Sequence, residues 1–143
     1  MNLRYSKKVI EHFTHPHNQG VIKNPDGVGI VGNPKCGDIM RMYIKVYKNK
    51  KGGEIIKDVK FETLGCGAAI STSSIATEMS KGKSLDEVMT ITNKQVADEL
   101  GGLPAAKLHC SNLAADALHK AIENYKYRNK KTSNKNYGKI KKT

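Results

Sequence analysis

Three cysteines stand in this 143-residue sequence, and each falls at a junction between regular patterns. Cys36 lies in NPKCGD, Cys66 in LGCGA and Cys110 in KLHCSN, with glycines close to the first two. Asp38 follows Cys36 by two residues, and His109 directly precedes Cys110. A structural cysteine more often occupies an apolar position in the middle of a strand or helix, and none of these does. Three soft sulfur donors, one imidazole and one carboxylate make a set suited to zinc or to an iron–sulfur cluster. The sequence has no C-x-x-C pair, so it carries neither a zinc-ribbon signature nor a ferredoxin run. Ligands this dispersed have to converge through the fold. The competing reading makes them small apolar side chains that happen to fall in loops.

Cys66 and Cys110 both fall near expected helix starts, where unsatisfied N–H groups and the helix dipole favour a thiolate. The His109–Cys110 pair also raises nucleophilic catalysis. Neighbouring side chains point apart in most backbone conformations, however, and no G-x-S-x-G-like elbow is present. A cysteine hydrolase is therefore the weakest of the readings. His12, His15 and His17 cluster in EHFTHPHN; such a trio can bind metal, but the sequence favours a polar, exposed helix end. His119 falls off the apolar stripe of the last helix and is expected to be exposed.

The elements that must position these groups follow from periodicity and caps. YSKKVIEHFTHP reads as a short helix with Ser6 as N-cap, Pro16 beyond its end, and Val9, Ile10 and Phe13 on one face. The glycine- and proline-rich stretch up to Asp38 reads as loop with a brief strand at Val28–Val31. Met40, Met42, Ile44 and Val46 alternate with Arg41, Tyr43, Lys45 and Tyr47, the pattern of a half-buried strand. KNKKGG is a turn, and EIIKDVKFETL is a second strand with Val59, Phe61 and Thr63 on one face, giving an antiparallel hairpin. After Cys66 the chain turns helical. Ser84 with Glu87, and Thr92 with Gln95, are capping boxes that open two further helices. In the last helix Ala114, Ala117, Leu118, Ala121, Ile122 and Tyr125 keep one apolar face. The expected class is α+β, a small three-stranded antiparallel sheet with about five helices packed on one face.

The net charge of +12 is unevenly distributed. The last 18 residues hold eight Lys/Arg and no acid, whereas the other 125 hold 17 basic and 13 acidic side chains. The expected division is a domain over 1–127 and a basic, disordered tail over 128–143. A basic balance concentrated in a solvated tail argues against a nucleic-acid function. No run is apolar enough to span a bilayer, and MNLRYSKKVIEHF lacks the pattern of a secretory signal, so a cytoplasmic location is expected. An odd number of cysteines in a reducing compartment leaves thiols for packing, metal or reactivity rather than a disulfide framework.

In order along the chain, YSKKVIEHFTHPHNQG, GNPKCGDIM, GCGAAISTSS, KGKSLDEV and LPAAKLHCSNLAADAL resemble the iron–sulfur cluster assembly scaffold family, of the IscU and NifU N-terminal-domain type. The likeness runs from about Tyr5 to Tyr125. It implies a non-enzymatic scaffold that accepts sulfur from a cysteine desulfurase, binds iron, assembles a transient [2Fe–2S] cluster and transfers it to apo-proteins. By the same likeness Cys36, Cys66 and Cys110 are cluster ligands, Asp38 the group that keeps the cluster labile, and His109 an alternative ligand. Cys110 is the favoured sulfur acceptor. Zn²⁺ is expected in the same site when iron is absent. The similar zinc-containing SufU branch, a sulfur acceptor and desulfurase activator, carries an insertion between the second and third cysteines and usually lacks the histidine. Members served by dedicated Hsp70/J-protein chaperones typically show Leu-Pro-Pro-Val-Lys before the His–Cys pair. Here Leu103 to Lys107 read LPAAK, a departure that weakens the case for that partnership.

Overall fold

The computed structural model describes residues 5–33, 37–104 and 112–138. Helix α1 (Lys7–Thr14) precedes a sheet of β1 (Gly27–Asn33), β2 (Asp38–Lys48) and β3 (Glu54–Leu64). Helices α2 (Gly67–Ser80), α3 (Leu85–Met89), α4 (Asn93–Glu99) and α5 (Ala114–Gly138) follow. The strands run β1-β2-β3 with both pairs antiparallel, so the α+β class expected from the sequence is found.

The inner face of the sheet is set by alternation. Met40, Met42 and Ile44 of β2 and Val59 and Phe61 of β3 are fully buried, and the register sets Met42 opposite Phe61 and Ile44 opposite Val59. A register shift between Lys45 and Val46 ends the clean alternation, and Val46 is only partly buried. On the outer face the Tyr43 hydroxyl donates to Glu62 at 2.6 Å, which accounts for burial of a residue that the pattern placed outside.

Strand β1 is longer than the brief Val28–Val31 segment expected. Two of its glycines, Gly27 and Gly29, have a helix lying on them. A Cβ built on Gly29 would stand 2.1 Å from the Ala117 carbonyl oxygen, and one on Gly27 would stand 2.3 Å from that of Ala121. Backbone of α5 thus rests directly on backbone of β1, a close approach that only glycine permits. The alanines of α5 complete the fit: Ala114, Ala117, Leu118, Ala121, Ile122 and Tyr125 are all buried, as their spacing requires. Helix α5 continues to Gly138, beyond the expected boundary at residue 127, while residues 139–143 lie outside the described residues.

Helix α2 is buried on nearly every side, and its small polar residues satisfy themselves. Ser71 donates to the Val9 carbonyl at 2.7 Å, Thr77 to that of Ser74 at 2.6 Å and Ser80 to that of Thr77 at 3.1 Å. Helix α1 packs against it, capped as expected by Ser6, whose Oγ accepts the Val9 N–H at 3.1 Å. The buried side of α1 differs from the expected one. It consists of Val9 and His12, while Ile10 and Phe13 are 50% and 46% exposed. An imidazole can face α2 because α2 presents hydroxyls rather than aliphatic side chains. Both capping boxes are present at α3 and α4, with the Ser84–Glu87 and Thr92–Gln95 bonds made in both directions.

Candidate functional site

Of the five expected ligands, Asp38 and Cys66 lie among the described residues; Cys36, His109 and Cys110 lie outside them. Sheet register brings Asp38 next to the turn that carries Cys66. Ile39 pairs with Leu64, so one step further sets Asp38, the first residue of β2, opposite Gly65. Cys66 comes next, as the N-cap of α2 with extended backbone and no side-chain capping bond. The Cys66 carbonyl accepts the Ile70 N–H at 3.1 Å, which starts the helix. Its side chain is therefore held at the positive end of a 14-residue helix, where negative charge is favoured.

Asp38 is only 5% exposed, and its Oδ2 is buried with no hydrogen-bond partner among the described residues. A buried carboxylate oxygen without a partner is costly, and the cost disappears when a cation takes the lone pair. Gly65 makes the space for that carboxylate. A Cβ on Gly65 would stand 3.0 Å from Asp38 Oδ1 and 2.8 Å from the Ala69 Cβ. The arrangement sets a hard oxygen donor beside the turn that carries a soft sulfur donor, and donors of these two kinds suit iron or zinc.

Asn112 stands two residues after Cys110 in the chain. It is buried, donates to the Asn93 carbonyl at 2.8 Å, and leaves its own Oδ1 without a partner among the described residues. Asn93 in turn accepts the Ala115 N–H at 3.1 Å, so the starts of α4 and α5 are clamped together.

The remaining histidines are corrected by their surroundings. His12 is buried at 4% exposure, with Nδ1 2.7 Å from the Ser74 hydroxyl, and is no part of an exposed helix end. Burial, and then the neighbouring His17, lower its pKa. His119 is half-buried rather than exposed, with Nε2 3.2 Å from the Val88 carbonyl of α3. Among the described residues no helix is long and apolar enough to cross a membrane.

Relatives share this plan. "Iron-sulfur cluster assembly scaffold protein IscU 1" of Archaeoglobus fulgidus is 58% identical over 127 residues, covering 89% of this chain and 80% of that protein. "Iron-sulfur cluster assembly scaffold protein IscU" of Escherichia coli K12 is 51% identical over 127 residues, covering 87% and 95%. The crystal structure of a NifU-like protein (N-terminal) from Brucella abortus shares the fold, with a TM-score of 0.67 at 18% identity over 86% of this chain and 94% of that one. The NifU-like N terminal domain pattern matches residues 4–132. The chain is therefore a member of the NifU-like N-terminal domain family.

Proposed function

We propose that this protein is a scaffold on which an iron–sulfur cluster, [2Fe–2S], is assembled and from which it passes to apo-proteins. The observation that carries the reading is Asp38. Its buried carboxylate oxygen, without a hydrogen-bond partner among the described residues, stands beside the Gly65–Cys66 turn, where a metal ion would satisfy it. Cys36, Cys66 and Cys110 supply the thiolates, and His109 is the alternative fourth donor.

The chemistry sets three demands on these residues. Sulfur arrives as the sulfane atom of a persulfide on a cysteine desulfurase. The Cys110 thiolate attacks that atom, the S–S bond breaks, the desulfurase cysteine leaves as a thiolate, and Cys110 becomes the persulfide. Iron then needs anionic donors close together, which the thiolates and Asp38 provide. Release needs one weaker donor, because a closed set of four thiolates holds a cluster too well; a hard carboxylate is weaker toward a thiophilic cluster. The protein acts as a carrier rather than an enzyme, in the cytoplasm where its thiols stay reduced. Zn²⁺ completes the same tetrahedron when iron is absent. Its partners are the desulfurase and the recipient apo-proteins, and the LPAAK segment makes Hsp70/J-protein chaperones the weakest of the proposed partners.

Anaerobic reconstitution with ferrous iron, cysteine, a cysteine desulfurase and a thiol reductant, which supplies the electrons that turn each persulfide sulfur into bridging sulfide, tests this. Visible cluster absorption should develop in the wild type and fail to persist in Cys36→Ala. Tightly held zinc, with no cluster absorption and faster desulfurase turnover, would instead identify a zinc-dependent sulfur acceptor.

A further inference from the structure

Away from the cysteines, α1 and α2 bring a second set of metal donors together. His12 projects from α1 against α2, His17 follows the end of α1, and Glu78 lies one turn beyond Ser74 on α2. We propose that His12, His17 and Glu78 form a second metal site, separate from the thiolate site, that takes a divalent transition ion such as Zn²⁺ through two imidazoles and one carboxylate.

Several features organise this site before any ion arrives. One candidate ligand atom from each residue lies within 4.8 Å of the other two. A tetrahedral zinc ion with bonds of about 2.0–2.1 Å requires ligand separations of about 3.4 Å, so a rearrangement of roughly an ångström forms the site, the His17–Glu78 pair opening around the ion and moving toward His12. His17 and Glu78 are free to make that shift, because both side chains are 41% exposed. They are already paired, through His17 Nδ1 and the Glu78 carboxylate. His12 is the fixed member. Its ring stands 4.7 Å from that of His17, centroid to centroid, and its Nδ1 is 2.7 Å from the Ser74 Oγ. Ser74 also accepts the His17 backbone N–H at 2.8 Å, so one buried hydroxyl orients both histidines.

This is the support a metal-binding histidine usually has. In the tautomer whose Nδ1–H is donated to Ser74, the lone pair of His12 lies on Nε2, and this is the form the proposed site requires. Burial and the proximity of His17 both favour the neutral imidazole, the form that ligates. Water fills the fourth position. His15 stays outside the set, with its Nδ1 3.1 Å from the Thr14 hydroxyl. Ser74 is eight residues along α2 from Cys66, about 12 Å at the helical rise of 1.5 Å, so the two sites are distinct. An ion here would clip α1 and the segment after it to α2, and two histidines with one carboxylate also suit Fe²⁺.

Metal counting on the full, reduced chain tests the proposal. Zn²⁺ is titrated against a competing chelator, and Co²⁺ is used as the spectroscopic probe. The wild type should bind a second equivalent beyond the thiolate site, and the second Co²⁺ should add d–d bands without further sulfur-to-cobalt charge transfer. His17→Ala and Glu78→Gln change half-exposed side chains and should lose only the second equivalent, while His15→Ala keeps it. Ser74→Ala should weaken it about ten- to hundredfold. A wild type that binds one equivalent, a second equivalent unaffected in both His17→Ala and Glu78→Gln, or a second cobalt with thiolate charge transfer would each overturn the proposal. A missing first equivalent would bear on the thiolate site alone.

Discussion

Asp38 rests against Gly65: a Cβ at residue 65 would lie 3.0 Å from the Asp38 Oδ1 and 3.1 Å from its Cγ. The carboxylate therefore occupies space that any other residue at 65 would fill. The first residue of β2 and the glycine just past the end of β3 thus place a charged group beside the start of α2.

In metal-free protein that carboxylate carries a buried oxygen with no partner among the described residues, and an unsatisfied buried oxygen costs about 1–3 kcal/mol. Asp38→Ala should therefore be more stable than the wild type without metal, by about 1 kcal/mol or more, in urea unfolding with chelator present. Added zinc should reverse the order, because the wild type alone keeps the oxygen ligand.

Gly65→Ala should leave the fold intact and disturb the site. Its Cβ would meet Ala69 at 2.8 Å as well as Asp38, so the carboxylate has to move. The expected loss is about 1–3 kcal/mol of stability, with at least a tenfold drop in zinc affinity in a chelator competition. Unchanged affinity would show that the Asp38 position does not matter to the metal.

Gly29→Ala should be far more damaging than Gly32→Ala on the same strand. The first would place a methyl group 2.1 Å from backbone oxygen of α5, whereas the second meets nothing closer than 3.4 Å. Thermal or urea unfolding should show a loss of about 3 kcal/mol or more for Gly29→Ala and within about 0.5 kcal/mol for Gly32→Ala.

Tyr125 links the end of the core to pH. Burial first, and then its hydrogen bond to the Glu54 carboxylate, push its pKa up to about 12. A folded-state pKa raised above the ordinary value of about 10 gives stability that is complete below about pH 10 and lost as pH rises through about 12. The contribution is of the order of 2–3 kcal/mol. The stability difference between the wild type and Tyr125→Phe should shrink between about pH 10 and 12, beyond the shared titration of the lysines.

The parts of this fold that were legible in the sequence are those decided within a few residues. The Ser84–Glu87 and Thr92–Gln95 boxes are reciprocal bonds three positions apart, so the sequence alone specifies them. The alternation in β2 and β3 and the apolar face of α5 are likewise local patterns. What escaped depends on partners far along the chain. Gly27 looks like a loop glycine and Gly29 like a weak point in a brief strand until Ala121 and Ala117 are placed on them. His12 looks like a surface residue until Ser74, 62 positions away, supplies its hydrogen bond. At the site, the spacing nominated Asp38 and Cys66, but only the register of β2 with β3 explains why Gly65 stands between them.

The most direct measurement follows a reconstituted cluster after an apo-ferredoxin is added, comparing the wild type with Asp38→Ala under anaerobic conditions. The wild type should lose its visible absorption as the acceptor gains the cluster, while Asp38→Ala should assemble a cluster and hold it several-fold longer. A wild type that never assembles a cluster, or an Asp38→Ala cluster that decays and transfers at the wild-type rate, would contradict a scaffold whose release depends on this carboxylate.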